Sequence, residues 1–146
     1  MRSIYDIILD KAKPYLDTRK NDIHIALSYD FARRLLGFYP DADAEVVLPA
    51  VILHDVGWKT VPEDEQLNAF GPRMNNKEMQ RLHEVEGAKI AGEILGSLDY
   101  DIRKIREIQS SIDGHDTRRE ALSINDAIIK DADKLWRYTP AGVEID

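Results

Sequence analysis

No cysteine occurs among the 146 residues. That absence removes disulfides, thiolate metal sites and cysteine nucleophiles together, and it leaves the redox compartment open. A positive balance is missing too, since 20 Lys and Arg stand against 27 Asp and Glu, a net charge of −7. Nucleic acid docks on basic faces, so no nucleic-acid polymer is expected as a partner. A small anionic ligand remains compatible, because the charge at a site can oppose that of the whole. No window approaches about 18 uninterrupted apolar residues, so no membrane partner is expected. The opening Met1-Arg2-Ser3-Ile4-Tyr5-Asp6 carries charge inside its apolar run, unlike a signal peptide. Cytoplasm is the expected location. Strand patterning is scarce as well, because apolar residues recur at three- and four-residue spacing rather than in alternation.

What the chain does have is enough apolar content, 43%, for one real core. One helical domain over residues 1–146 is expected, a compact all-α bundle of about six to seven helices. Ser3 to Tyr15 reads as the first helix, limited by Pro14. Asn21 or Asp22 opens a second that stops at Gly37, with His24, Leu27, Phe31 and Leu35 on its buried face. Asp41-Ala42-Asp43 opens a third that runs through Val46, Val47, Ala50 and Val51 to His54, with Pro49 an internal irregularity. The segment from Gly57 to Asn76 is punctuated by Pro62, Gly71 and Pro72, and reads as a functional lid. A fourth long helix follows from Lys77 to Leu95. A fifth, capped near Asp99, aligns Ile105, Ile108, Ile112 and His115. A sixth from Ser123 to Tyr138 aligns Leu122, Ile129, Asp133 and Trp136.

All four histidines of the chain, His24, His54, His83 and His115, fall on inward stripes of four different predicted helices. Asp55 and Asp133 join them. Buried imidazoles repel one another once protonated, and coordination to a metal ion holds each ring neutral. A carboxylate on an apolar stripe is costly without a cation beside it. Imidazole and carboxylate are both good ligands for divalent cations, so the pattern points to a buried metal site.

His24, then the pair His54-Asp55, then Asp133 within Lys130-Asp131-Ala132-Asp133-Lys134-Leu135, resembles the HD-domain superfamily of metal-dependent phosphohydrolases. The resemblance runs from about Asp22 to Tyr138. It implies that His24, His54, Asp55 and Asp133 hold one metal ion, the family pattern favouring Asp133 over Asp131 as the aspartate just before Lys134. His83-Glu84-Val85-Glu86-Gly87-Ala88 and His115-Asp116 are similar to the third- and fourth-histidine segments of members with a second ion. In this chain Trp58 intervenes between Gly57 and Lys59, which displaces Lys59 from the place of the family's lysine.

The implied activity is hydrolysis of a small phosphate ester or anhydride, with a nucleotide as the expected class of substrate, by metal-activated hydroxide. The expected cofactor is one or two divalent ions, drawn from Mn, Mg, Co, Fe, Ni or Zn. Asp55 and Lys134 are expected to be catalytic, with Asp116 as a general base or as a group that orients His115. Lys59, Arg73, Arg81 and Arg137 join Lys134 as candidate contacts to phosphate. The chain ends soon after Tyr138, and a pocket left open there would be walled by a second copy in a homodimer. Two other chemistries share the same ligand set: oxidative cleavage by a di-iron pair, and a regulatory module that holds metal without turnover.

Overall fold

The structure, a computed structural model, describes residues 3–16, 21–60 and 76–135. Six α-helices lie in them: α1 (Ile4–Ala12), α2 (Asn21–Leu36), α3 (Ala44–Leu53), α4 (Asn76–Ser97), α5 (Ile102–Ile112) and α6 (Ile124–Leu135). Two 3-10 turns, Lys13–Tyr15 and Val56–Thr60, follow α1 and α3. No strand occurs among the described residues, and the fold class is all-α. None of these helices is long and apolar enough to cross a membrane.

The helix starts follow capping chemistry. At α1, the Ser3 hydroxyl accepts from the Asp6 N–H while the Asp6 carboxylate accepts from the Ser3 N–H, a reciprocal box. Asp43 caps α3 through Glu45 N–H, and Asp101 caps α5 through Arg103 N–H. The fifth cap is therefore Asp101. Asp99 instead takes the left-handed backbone conformation, φ 55°, in the turn between α4 and α5. Pro14 ends α1 at Ala12 by tightening the chain into the 3-10 turn, since a proline there cannot donate to the preceding turn.

The helix α3 is the axis of the bundle. Every residue from Val46 to Leu53 is buried, because α1, α2, α5 and α6 all pack around it. Pro49 sits inside this helix and does not break it. Having no N–H, Pro49 leaves the Glu45 carbonyl four residues back without its helical donor. The Tyr100 hydroxyl donates to that same carbonyl from the α4–α5 connection. Ile8, Ile25, Ile52, Leu53, Leu95, Ile108, Ile112, Ile128 and Ile129 are fully buried around α3. Each aliphatic side chain so buried stabilises the fold by about 1.5–3 kcal/mol.

The helix α4 packs against α5 and against the 3-10 turn that follows α3. Two glycines allow the approach. A Cβ on Gly57 would stand 1.9 Å from the His83 carbonyl oxygen and 2.7 Å from the Gly87 amide nitrogen. Gly57 thus lets the chain just after His54-Asp55 lie directly on the backbone of α4, beside His83.

Two residues depart from their predicted places. α5 stops at Ile112, so His115 stands in the turn beyond the helix rather than on its stripe. Leu122 precedes α6 and is 60% exposed, off the stripe that carries Ile129. Trp136 and Tyr138 lie outside the described residues, as does the predicted lid beyond Thr60.

Candidate metal centre

His54 is the C-cap residue of α3, and its Nδ1–H donates to the Val51 carbonyl at 2.6 Å. That bond fixes the tautomer and leaves Nε2 with a bare lone pair aimed out of the helix end. His24, near the start of α2, brings its own Nε2 to 3.0 Å from that of His54. The Asp133 Oδ1, from the last turn of α6, stands 2.9 Å from His24 Nε2 and 3.0 Å from His54 Nε2. The Asp55 Oδ2 completes the group at 3.1 Å from His24 Nε2 and 3.4 Å from His54 Nε2. Four donor atoms from α2, α6 and the end of α3 thus converge on one point.

The other oxygen of Asp55 faces a second group. Oδ1 lies 3.6 Å from His83 Nε2 and 3.4 Å from His115 Nε2, and those two nitrogens are 3.2 Å apart. His115 repeats the device of His54, with Nδ1–H donating to the Ile112 carbonyl at 2.8 Å. The Asp116 Oδ2 approaches His83 Nε2 at 3.0 Å and His115 Nε2 at 3.6 Å, from the more open side. Asp55 is therefore a bridge: one carboxylate, two histidine pairs.

The HD-domain family model matches residues 21–137. The chain belongs to the HD-domain family. No curated protein and no solved structure matches it. HD domains bind divalent metals, and the family is mostly metal-dependent hydrolases.

The residues of this HD domain fit such ions. Donors in mutual contact at 2.9–3.4 Å match the edges of a coordination shell whose bonds are about 2.0–2.2 Å long. Among the described residues two groups bring their donor atoms within 4.8 Å of one another, His24-His54-Asp55-Asp133 and Asp55-His83-His115. With their Nδ1–H groups donating to backbone carbonyls, neutral His54 and His115 turn bare Nε2 lone pairs toward His24 and His83 at 3.0 and 3.2 Å, lone pairs that a metal ion between the rings would use.

The electrostatics carry the same demand. Burial opposes charge on His54, yet the carboxylates of Asp55 and Asp133 outweigh it and push the ring up to about 10. Burial likewise opposes charge on His83, and hydrogen bonds to Asp116 and Asp55 raise it to about 9. Asp55 is held well below the usual carboxylate range: burial pushes it up, but the His54 charge and contacts with His115, His24 and His83 prevail. Asp133 is held low against its burial by His54 and His24, and Asp116 against its burial by His83 and His115. A divalent ion held here would supply the charge that these carboxylates otherwise draw from protons.

Lys134 is exposed on the last turn of α6, immediately after Asp133, and Lys59 is exposed on the 3-10 turn after Asp55. Asp131 is exposed, so of the two late aspartates Asp133 reaches the histidines. Arg81 is engaged elsewhere, donating to Glu84 at 2.8 Å and to the Asp113 carbonyl at 2.8 Å. Arg73 and Arg137 lie outside the described residues.

Three further residues support the cluster, and of these the sequence reading gives no role to Glu84 or Lys130. Glu84 is fully buried behind His83 and accepts from the turn that carries His115. Its signal was legible, because Glu84 continues the stripe of Ala88, Ala91 and Leu95 at helical spacing. Lys130, buried on α6, donates to the carbonyls of His115 and Arg118. Trp58 stacks on His83 and is buried with Met79. No spacing pattern distinguishes Lys130 or Trp58 from ordinary packing.

Proposed function

We propose that this HD domain is a metal-dependent phosphohydrolase that holds two divalent ions and cleaves a small phosphate ester or anhydride, with nucleotides as the substrate class. The carrying observation is the division of Asp55: one oxygen faces His24 and His54, the other His83 and His115. Divalent ions at these two positions supply Lewis acidity toward a phosphoryl oxygen and make water acidic enough to attack at neutral pH.

The chain's own groups do the rest. Asp55 ties the two halves of the site together, and Asp133 with the four imidazoles fixes the donor geometry. Asp116, whose side chain is 29% exposed at the open side, is placed to accept the proton of the attacking water. Attack forms one phosphorus–oxygen bond as the bond to the leaving group breaks, and a proton must return to that group. Lys134 and Lys59, exposed beside Asp133 and Asp55, supply positive charge to the phosphate; Arg73 and Arg137 are further candidates. The identity of the ions follows from the donor set only to the class that imidazole and carboxylate share: Mn, Fe, Co, Ni, Zn and Mg.

The test is turnover of mono-, di-, tri- and cyclic nucleotides by protein loaded with manganese, cobalt or magnesium. Hydrolysis that a chelator abolishes is the expected result. Hydrolysis that survives the chelator would overturn the reading. Oxygen uptake by iron-loaded protein in place of hydrolysis would replace it with oxidative cleavage, and metal uptake without any turnover would replace it with a binding module.

A further inference from the structure

Glu84 is the residue next to His83 on α4, and its side chain is entirely buried. Its carboxylate accepts four hydrogen bonds. Oε2 takes the backbone N–H groups of Asp116 at 2.7 Å and Thr117 at 2.9 Å. Oε1 takes the Thr117 hydroxyl at 2.8 Å and Arg81 Nη1 at 2.8 Å. Arg81 extends the tie, since its guanidinium also reaches the Asp113 carbonyl at 2.8 Å and the Asp113 carboxylate at 3.1 Å.

The turn held in this way is the one that carries His115 and Asp116. It lies beyond the end of α5, so the N–H groups of Asp116 and Thr117 have no helical carbonyl to meet. A buried carboxylate meets them instead. The link runs from the neighbour of one second-group histidine to the two residues following the other. Fixing that link fixes the separation of His83 and His115. Nothing in the chemistry of Glu84 itself requires burial at this place: an apolar residue on the Ala88-Ala91-Leu95 stripe would pack α4 as well. The bonds of Glu84 all go to α4 and to this turn, whereas His24, His54 and Asp133 belong to α2, the end of α3 and α6.

We propose that Glu84 is a positioning residue for the second ion, which presets the His83–His115 spacing without touching the ion or the substrate. This rests on the two-ion reading above. Hydrogen-bonded partners of metal ligands typically tune ion affinity about 10- to 100-fold. The effect here falls on one ion of the two.

The experiment titrates metal-free full-length protein with manganese alone, following ions bound by dialysis and elemental analysis and the coupled pair by electron paramagnetic resonance. Wild type is expected to bind two ions and show the spectrum of an interacting pair. Glu84→Gln keeps the shape but sets an amide NH2 against donors. It is expected to bind the first ion as wild type does and the second about 10- to 100-fold more weakly, with the pair signal lost at concentrations that saturate wild type. Thr117→Val, which removes only the hydroxyl donor, serves if Glu84→Gln does not fold, with a smaller loss at the second ion alone. Wild-type binding of both ions in folded Glu84→Gln or Thr117→Val would overturn the proposal and leave the two-ion reading standing. Parallel loss of both ions would overturn it by making Glu84 a general support. A wild type that saturates at one ion would overturn the two-ion reading, and this proposal with it.

Discussion

The indole of Trp58 lies flat on the imidazole of His83, with ring centroids 4.1 Å apart and planes 16° from parallel. His54 and His115 each have the ring fixed by an Nδ1–H to a carbonyl one turn back. The Nδ1 of His83 is buried with no hydrogen-bond partner among the described residues. Stacking therefore takes over the orienting part that a hydrogen bond plays for the other two rings. It also gives the insertion of Trp58 between Gly57 and Lys59 a physical role.

Replacing Trp58 by leucine removes the stacked face and leaves a void beside Met79. An aromatic pair contributes about 0.5–1.5 kcal/mol beyond the area it covers, and the void adds to that. Trp58→Leu is expected to lose about 2–4 kcal/mol of stability and to weaken the second ion, whereas Trp58→Phe keeps a ring on His83 and most of both. Denaturant melts and manganese titration of the two variants decide it. Equal ion binding by leucine and phenylalanine variants would show that the stack orients nothing.

Single-donor variants should separate the two groups. His54→Ala is expected to lose the ion that His24 and Asp133 share, and His83→Ala or His115→Ala to lose only the other. Asp55→Ala should lose both ions and all hydrolysis, because each of its oxygens faces a different histidine pair. Elemental analysis of each saturated variant is the measurement. An Asp55→Ala protein that still takes up two ions would mean the carboxylate is no bridge.

Gly57 offers a test of the packing beneath the site. The methyl group of Gly57→Ala would meet the His83 carbonyl at 1.9 Å, and backbone cannot swing aside as a side chain can. The expected result is a loss of about 1–3 kcal/mol or more, together with weaker binding at His83 as α4 is forced outward. A melting temperature unchanged from wild type would show that the turn relaxes freely.

Much of this is legible in the sequence. The helical spacing of His24, Leu27, Phe31 and Leu35 places His24 inward, and the structure buries it. Short patterns failed where local chemistry overrode period. His115 follows Asp113-Gly114, which ends α5 at Ile112, so the ring reaches the site from a turn. Leu122 reads as the start of a stripe, but α6 is capped by Ser123, whose hydroxyl accepts from the Asp126 N–H, and Leu122 is left outside. Pro49 reads as an internal irregularity because the donor that rescues its orphaned carbonyl, Tyr100, lies 51 residues along and no local window contains it. The ties from Glu84 and Lys130 to the His115 turn are likewise long-range, visible only once α4 and α6 have been packed.

The last prediction concerns pH, and its sign reverses between the ion-free and ion-loaded protein. In the ion-free chain His54 is raised to about 10 and His83 to about 9, each above the ordinary histidine value of about 6.5 in the unfolded state. The folded state then holds protons that the unfolded chain has released, so their contribution is complete below about pH 6.5 and fades as pH climbs through about 9 to 10. Asp55, Asp116 and Asp133 are lowered, so their contribution is present above about pH 4 and lost as pH falls below it. Ion-free protein should therefore be most stable between about pH 4 and 6.5 and soften steadily toward pH 9. Manganese competes with protons for the same Nε2 atoms, so its affinity and the stabilisation it gives should grow over that same interval, with protons released on binding. Melting curves with and without manganese from pH 5 to 9, and the pH change of a weakly buffered sample on metal addition, measure both slopes. Ion-free stability that rose from pH 6.5 to 9, or a manganese effect that shrank there, would mean that the histidines do not carry the protons that metal replaces.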